Sequence, residues 1–542
     1  MKKLLSIFVV MLIPTGAVTA QGGANFEGDH YASYRHCMAC HRSTAEGSSE
    51  DIGAPNSWLP SMMSNAYRDP LWQAKVETEM NRNAELRDVL DKKCSHCHGP
   101  IANTEASQAG EKVRIFDYNG ELGLNNPKNP RHFEAMEGIT CTVCHQMTLD
   151  GTLEESEWSG NWSEDLETKR GGTERKLYGN IEDPTYGVQT SMAGYGAEYN
   201  PAISTGEACG VCHEIRTPIV NIDTKEINPT RQFVEQSTYT EWENSSFGSK
   251  DENQTCQDCH MPPVKAVSIN GNPKRDNFHV HTFVGANTSM LDLLKRNRDE
   301  LGLDPVSTDA MYDRAVDQTR QFLKNETVAL SVESSGVSSG NLEVKIKVVN
   351  KAGHKFPTGI QARRGWINFV VKDVKGNVVF ESGRMNEDGS IVGADSDSGK
   401  GIEDHHDTIS SSDQVQIYEG VMKDTNGDPT FTILFADGYY KDNRLLPRGY
   451  REHSDTHVYG AATKDKNYIA GSDEITYSIP NLPKGKYTVE AKLMFQALGK
   501  PFMNDLFRDE TPAVLRFKRM YDQPELIQAE ELQSVTVDVT KG

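Results

Sequence analysis

All ten cysteines of this 542-residue chain fall in five copies of one pattern, Cys-x-x-Cys-His. The copies run from Cys37 to His41, Cys94 to His98, Cys141 to His145, Cys209 to His213 and Cys256 to His260. A single Cys-x-x-Cys pair suits a redox-active dithiol, half a zinc site or part of a disulfide framework. Here each pair is followed directly by histidine, and no cysteine is left over to complete a four-thiolate cluster. The pattern is that of covalent c-type haem attachment. Cys37, Cys40, Cys94, Cys97, Cys141, Cys144, Cys209, Cys212, Cys256 and Cys259 become thioethers. His41, His98, His145, His213 and His260 ligate iron on the proximal side. The expected cofactors are five c-type haems.

The far side of each iron is less constrained. Sixteen histidines minus the five in the motifs leave eleven, so a second histidine on every iron is arithmetically available. His279 and His281 flank Val280, and in an extended segment both point the same way. His354 lies in Gly353-His354-Lys355-Phe356-Pro357-Thr358-Gly359, a loop that a Pro-Gly turn stiffens. His30 and His36 precede the first motif, and His132 precedes the third. His96 lies inside the second motif and can reach only a neighbouring haem. Met62, Met63 and Met261 are placed where a thioether ligand would raise a haem potential, although core or loop packing is the role expected of each. The His405-His406 pair falls in a polar stretch and reads as solvated surface. No catalytic residue is assigned.

Lys2 and Lys3, the apolar run Leu4 to Ile13 and the small-residue ending Val18-Thr19-Ala20 form a Sec-type secretory leader with cleavage expected after Ala20. The run is too short to span a bilayer, and no later stretch approaches the length required. The mature chain is therefore expected in the periplasm or outside the cell. Removing the leader leaves 55 basic residues against 78 acidic ones, a net charge of −23. That surface argues against nucleic acid and suits a redox protein with a basic docking patch, or simply solubility.

The spacing of the motifs divides the chain. Residues 21–325 read as a loop-rich, partly helical pentahaem domain in which porphyrins supply much of the core. Two intervals of 47 residues between motifs hint at duplication, but the intervening sequence does not repeat. Helical periodicity is expected over Asp69 to Leu90, Leu291 to Leu301 and Thr308 to Lys324. Residues 326–542 change character. Alternation such as Leu342, Val344, Ile346, Val348 marks half-buried strands, and eight or nine short strands, Phe431 to Phe435 among them, point to a β-sandwich. An immunoglobulin-like core is one form it can take, with an insertion between Ser382 and Gln414. Asp424 to Asp428 reads as a hairpin turn rather than a calcium loop.

Several stretches resemble multihaem c-type cytochromes related to cytochrome c554 and hydroxylamine oxidoreductase. They are Ser61-Met62-Met63 with Arg68-Asp69-Pro70, Gly138-Ile139-Thr140, Thr238-Tyr239-Thr240-Glu241-Trp242 with Ser245, and Cys259-His260-Met261-Pro262. Gly353 to Gly359 with Arg363-Arg364, Gln416 to Glu419 and Asp442 to Pro447 are similar to a β domain attached to many exported multihaem cytochromes. The resemblance implies a closely stacked haem chain and favours His281 and His354 as distal ligands. Pentahaem nitrite reductases, in which one motif ends in lysine, are a poorer match, because all five motifs here end in histidine. The function expected is electron transfer to or from a redox partner. The alternative is a reductase or oxidoreductase of a small nitrogen or sulfur compound at one open haem.

Overall fold

The structure is a computed structural model that describes residues 25–45, 50–184, 187–267, 274–451 and 465–542. The leader, His453 and His457 lie outside the described residues. The stretch from Asp69 to Leu90 is two helices rather than one. Pro70–Arg82 starts with proline in its first turn and an Asp69 carboxylate that accepts from the Leu71 N–H at 2.9 Å, the standard way to satisfy an exposed helix start. It stops at Asn83, whose side chain donates back to the Glu79 carbonyl and competes with further helical bonding. A single turn, Ala84–Leu86, then leads into Arg87–His98.

Helix Asp309–Phe322 is capped by Thr308, as its periodicity predicts. Thr288–Arg296 and Arg298–Leu301 precede it, and the latter ends on Gly302 at φ 61°. A hairpin of Glu214–Val220 and Ile227–Ser237 directly follows the fourth motif; the sequence reading treats this region as loop.

Beyond residue 326 the chain forms two antiparallel-rich sheets. One seven-stranded sheet centres on Arg364–Asp373, flanked by Ile417–Asp424 and Gly485–Gln496, with Glu530–Lys541 beyond the latter. A four-stranded sheet contains Val328–Ser338, Asn341–Asn350 and Ser472–Ile479. They share one hydrophobic cluster that includes Val344, Ile346, Phe369, Val371, Val489 and Leu493. Phe369 of the larger sheet stacks on Tyr477 of the smaller with centroids 3.7 Å apart.

Phe431 to Phe435 does not form the strand its composition suggests. The Glu79 carboxylate accepts from the backbone N–H groups of Ile433 and Leu434 at 2.7 and 3.3 Å. Those donors are tied to the N-terminal half, and Ile433–Phe435 is a helical turn. The strand begins one residue later, at Ala436–Asp442. Two helices, Lys500–Leu506 and Pro512–Tyr521, also escape the strand-centred reading. Their residues Phe502, Leu506, Val514 and Phe517 share a core with Leu71, Ala74, Met290 and Tyr312. The N- and C-terminal halves are therefore packed through common apolar clusters, not merely joined at residue 325.

The deepest connection between the halves is ionic. Lys355 Nζ meets Asp442 at 2.8 Å, and Arg444 grips the same carboxylate at 2.8 and 2.7 Å. Arg444 reaches Glu241 at 3.4 Å. Glu241 in turn accepts from the Lys355 N–H at 3.1 Å and the Thr358 hydroxyl at 2.8 Å. All four charged residues are buried. Against the effect of burial, Arg444 and Lys355 hold the Asp442 carboxyl at about 2.

Asp442→Ala strands two cations among buried groups and is expected to cost about 3–5 kcal/mol. Arg448→Ala, at the exposed Arg448–Glu252 pair, is expected to cost less than about 1 kcal/mol. Urea unfolding of the two variants against the parent chain checks the contrast.

Candidate functional site

Each attachment motif sits on a short helix. Arg87–His98 ends with the second motif, Glu207–His213 with the fourth and Cys256–His260 is the fifth. Cys141–Cys144 carries the third, and Arg35–Met38 leads into the first. Helical geometry puts two cysteines three residues apart on one face, with the histidine just beyond them. The fifth motif is further fixed by a reciprocal cap: Thr255 donates from its backbone and hydroxyl to Asp258 at 2.8 and 2.9 Å.

The motifs converge on one continuous cavity of about 2060 Å³. Small-molecule pockets run to roughly 300–1,000 Å³, so this space is built for more than one such ligand. Nine of the ten cysteines and all five motif histidines line it. No two of the cysteines form a disulfide. Instead, thiols of different motifs come close enough to perturb one another's ionisation. In each pair the contact pushes one thiol up and its mate down: Cys37 above Cys141, Cys212 above Cys97, and Cys209 above Cys256. The first motif thus abuts the third, and the fourth abuts both the second and the fifth.

Carbonyl oxygens set the histidine tautomers. The Nδ1 of His98 donates to Ala66, that of His145 to Tyr178 and that of His260 to Val284, at 3.2, 2.7 and 2.5 Å. A carbonyl only accepts, so Nδ1 carries the proton and Nε2 keeps its lone pair for a metal. Burial lowers the protonation of these rings, to about 4 for His98 and His260, and leaves them neutral as ligands must be. His213 is likewise lowered by burial, with Gln236 as a hydrogen-bonding neighbour. Trp72 stacks on His98 with centroids 4.6 Å apart and planes at 12°.

Three further histidines line the cavity: His279, His281 and His354. All three have the same arrangement, with Nδ1 on the carbonyls of Met261, His279 and Lys355 at 2.8, 2.9 and 2.9 Å. His281 faces His145 with centroids 6.4 Å apart and planes at 22°. His354 faces His260 at 6.2 Å and 17°. Two imidazoles that each bind one metal through nitrogen at about 2 Å place their centroids about 6 Å apart, so each of these gaps admits one ion. Burial lowers His281 to about 3 and also lowers His354.

The other candidates lie away from the cavity lining. His30 has both nitrogens engaged, by Glu105 at 3.1 Å and the Leu166 carbonyl at 3.2 Å. His96 places Nε2 2.6 Å from the Gly160 carbonyl. His36 and His132 turn Nδ1 to the carbonyls of Met192 and Leu124. Met62, Met63 and Met261 do line the cavity.

Two of the family-like stretches meet beside it. The Ile139 N–H donates to the Met63 carbonyl at 3.0 Å, and Gly138, at φ 60°, passes so close to the backbone of residues 63 and 64 that a Cβ would collide with it. Features that the motifs do not reveal are Trp72 against His98 and the ion cluster behind His354; Arg363, from a family-like stretch, also lines the cavity.

His405 is buried, contrary to the solvated position expected for it. With Asp465 and Asp473 it forms a group whose ligand-type atoms lie within 4.8 Å of one another. Gln416 and Asn443 both donate to its Nδ1, at 2.9 and 3.1 Å. Their orientations are pinned because their oxygens accept from the backbone N–H groups of His406 and Glu419. Nδ1 is therefore an acceptor, Nε2 carries the proton, and the ring donates to Asp465 at 3.0 Å instead of offering a lone pair. Asp473 accepts from the Tyr418 hydroxyl at 2.8 Å.

Neither a family model nor any curated protein matches the sequence. Among solved structures, a penta-heme cytochrome c552 from Thermochromatium tepidum superposes with a TM-score of 0.54 at 15% identity, covering 94% of this chain and 100% of that one. The fold is that of a multihaem c-type cytochrome. The likeness is one of fold, and the lining of the cavity would fit a haem: cysteines in pairs, imidazoles of His98, His145 and His260 whose Nδ1 is spent on carbonyls, and opposed rings spaced for one metal. Among the described residues no helix is long and apolar enough to cross a membrane.

Burial pushes the Asp473 carboxyl up to about 7. It binds its proton more tightly folded than unfolded, so its contribution to stability is complete below the usual aspartate value of about 4 and is lost as pH rises through about 7. Asp473→Asn is expected to flatten the fall in stability between those two pH values, as read from urea midpoints at several pH values.

Proposed function

We propose that this chain is an exported pentahaem cytochrome that moves electrons along five covalently held haems to or from a redox protein. The observation that carries the reading is the single cavity on which all five attachment motifs converge. The mutual influence of thiols supports an order in which the first site lies beside the third, and the fourth beside both the second and the fifth. Cys144 acts electrostatically on both Cys209 and Cys212, which links the first and third sites to the other three. The fourth site is then the junction of the chain.

In this reading His41, His98, His145, His213 and His260 are the proximal ligands. His281 completes the iron held by His145, and His354 completes that held by His260. The haems supply one-electron redox chemistry. The protein keeps the imidazoles neutral and oriented through Nδ1, excludes water with apolar walls, and tunes potential through neighbouring charge. Residues 21–325 form the haem-binding unit. Residues 326–542 form a β-sandwich whose loop inserts His354. A net charge of −23 after leader removal suits a partner with a basic docking face.

One observation favours a second reading. Besides the five motif histidines, only His279, His281 and His354 line the cavity among the described residues, so at least two irons face no cavity-lining histidine on the far side. A haem open at that position is what a reductase of a small nitrogen or sulfur compound requires.

Haem quantification by the pyridine haemochrome method is expected to give five haems per chain. In the ferric state, electron paramagnetic resonance is expected to show low-spin signals from the His145/His281 and His260/His354 sites. His354→Ala should convert one of them to high spin without loss of covalent haem. An unchanged spectrum in that variant removes His354 from the ligand set. A high-spin signal in the parent protein that responds to nitrite, hydroxylamine or tetrathionate selects the enzymatic reading.

A further inference from the structure

Among the described residues, Arg363 is a cation in the cavity wall without a counter-charge. It follows the His354 loop and precedes strand Arg364–Asp373. Its Nη1 donates to the Thr358 carbonyl at 2.7 Å and its Nη2 to Asn287 Oδ1 at 3.3 Å, while its Nε is enclosed and has no partner. Both groups it contacts are neutral. The next residue shows what a satisfied arginine looks like in the same fold: Arg364 grips Asp397 through two nitrogens at 2.6 and 2.9 Å and adds Gln496.

No carboxylate of the described residues forms an ion pair with Arg363. The nearby ionisable groups it acts on are His213 and His354, on the fourth site and beside the fifth. A guanidinium stays charged under all ordinary conditions. A charge placed among neutral groups is tolerated when something else completes its pairing. Thr358 and Asn287 hold the guanidinium in place through one hydrogen of each Nη, which leaves the second hydrogen of each for an anionic oxygen acceptor.

We propose that Arg363 anchors an anionic oxygen group inside the cavity, between the fourth and fifth attachment sites. The inference rests on the haem reading of the cavity. Two sources supply the same chemistry: the propionate of a haem at one of those sites, or a small oxyanion entering above His213, which no described cavity-lining histidine is seen to oppose. In either case Arg363 stabilises negative charge next to an iron and favours its reduced state.

The experiment is a spectroelectrochemical titration of the haem-loaded protein, with ferric electron paramagnetic resonance recorded with and without nitrite. The parent chain is compared with Arg363→Gln and Arg363→Lys. Arg363→Gln is expected to lower the midpoint potential of one haem, because loss of a nearby positive charge favours the ferric state, and Arg363→Lys is expected to recover part of that shift. If the parent spectrum ignores nitrite while Arg363→Gln lowers a midpoint potential, the anion is a propionate. If nitrite changes it and Arg363→Gln weakens that response at least tenfold, the anion comes from outside. Unaltered potentials together with an unaltered nitrite response in a fully loaded Arg363→Gln overturn the proposal. A glutamine variant that fails to load its haems shifts the comparison to Arg363→Lys, which keeps the charge and loses the planar fork. In that comparison, potentials and nitrite response identical to the parent likewise overturn it. A parent protein without covalent haem would instead overturn the reading of the cavity itself.

Discussion

The buried charges of Glu241, Lys355, Asp442 and Arg444 hold this structure to its purpose. Burying four ionisable groups is expensive unless each meets an opposite charge in good geometry. Here Asp442 receives two cations, and Glu241 receives Arg444, a backbone N–H and a hydroxyl. The result is a rigid seat for one short loop. Lys355 immediately follows His354, so the cluster fixes the backbone that delivers His354 to within 6.2 Å of His260. A sheet-rich C-terminal half is thereby registered against the N-terminal half, and both line the cavity.

Apolar packing supports the same registration. Leu71 and Ala74 share a cluster with Phe502 and Phe517, more than four hundred residues away in sequence. Glu79 captures the N–H groups of Ile433 and Leu434. Gly353 lets the loop approach Trp242 to a distance at which a Cβ would already press on the ring. Inside, the motif helices present thiols and imidazoles to one shared space, and backbone carbonyls choose the tautomers of His98, His145, His260, His279, His281 and His354. The cavity lining mixes these thiols and imidazoles with mostly apolar wall, which suits large, flat, mostly apolar ligands.

Much of this is legible in the sequence where chemistry dictates spacing. Covalent attachment needs two thiols and a histidine at fixed separation, so the motif residues can be named without a structure. The alternation of Leu342, Val344, Ile346 and Val348 marks a strand for an equally local reason, and the periodicity of Asp309–Phe322 marks a helix. What stays hidden depends on contacts distant in sequence. Phe431 to Phe435 has strand composition but loses its backbone donors to Glu79. Helix Pro512–Tyr521 is overlooked among strands because its partner is Pro70–Arg82. His405 looks solvated until Gln416, Asn443 and Asp465 enclose it. Among eleven spare histidines, local sequence does not separate His30, saturated by Glu105 and Leu166, from His281, which meets His145 only through the fold. Arg363 is marked only as part of a family-like stretch with Arg364, and its sequence does not tell it from that neighbour, which Asp397 pairs.

Iron anomalous scattering from crystals of the haem-loaded protein tests the central claim most directly. The account predicts five iron positions in one connected series, one of them between His145 and His281 and another between His260 and His354. Fewer than five positions, or irons that leave those two imidazole pairs unbridged, would contradict it.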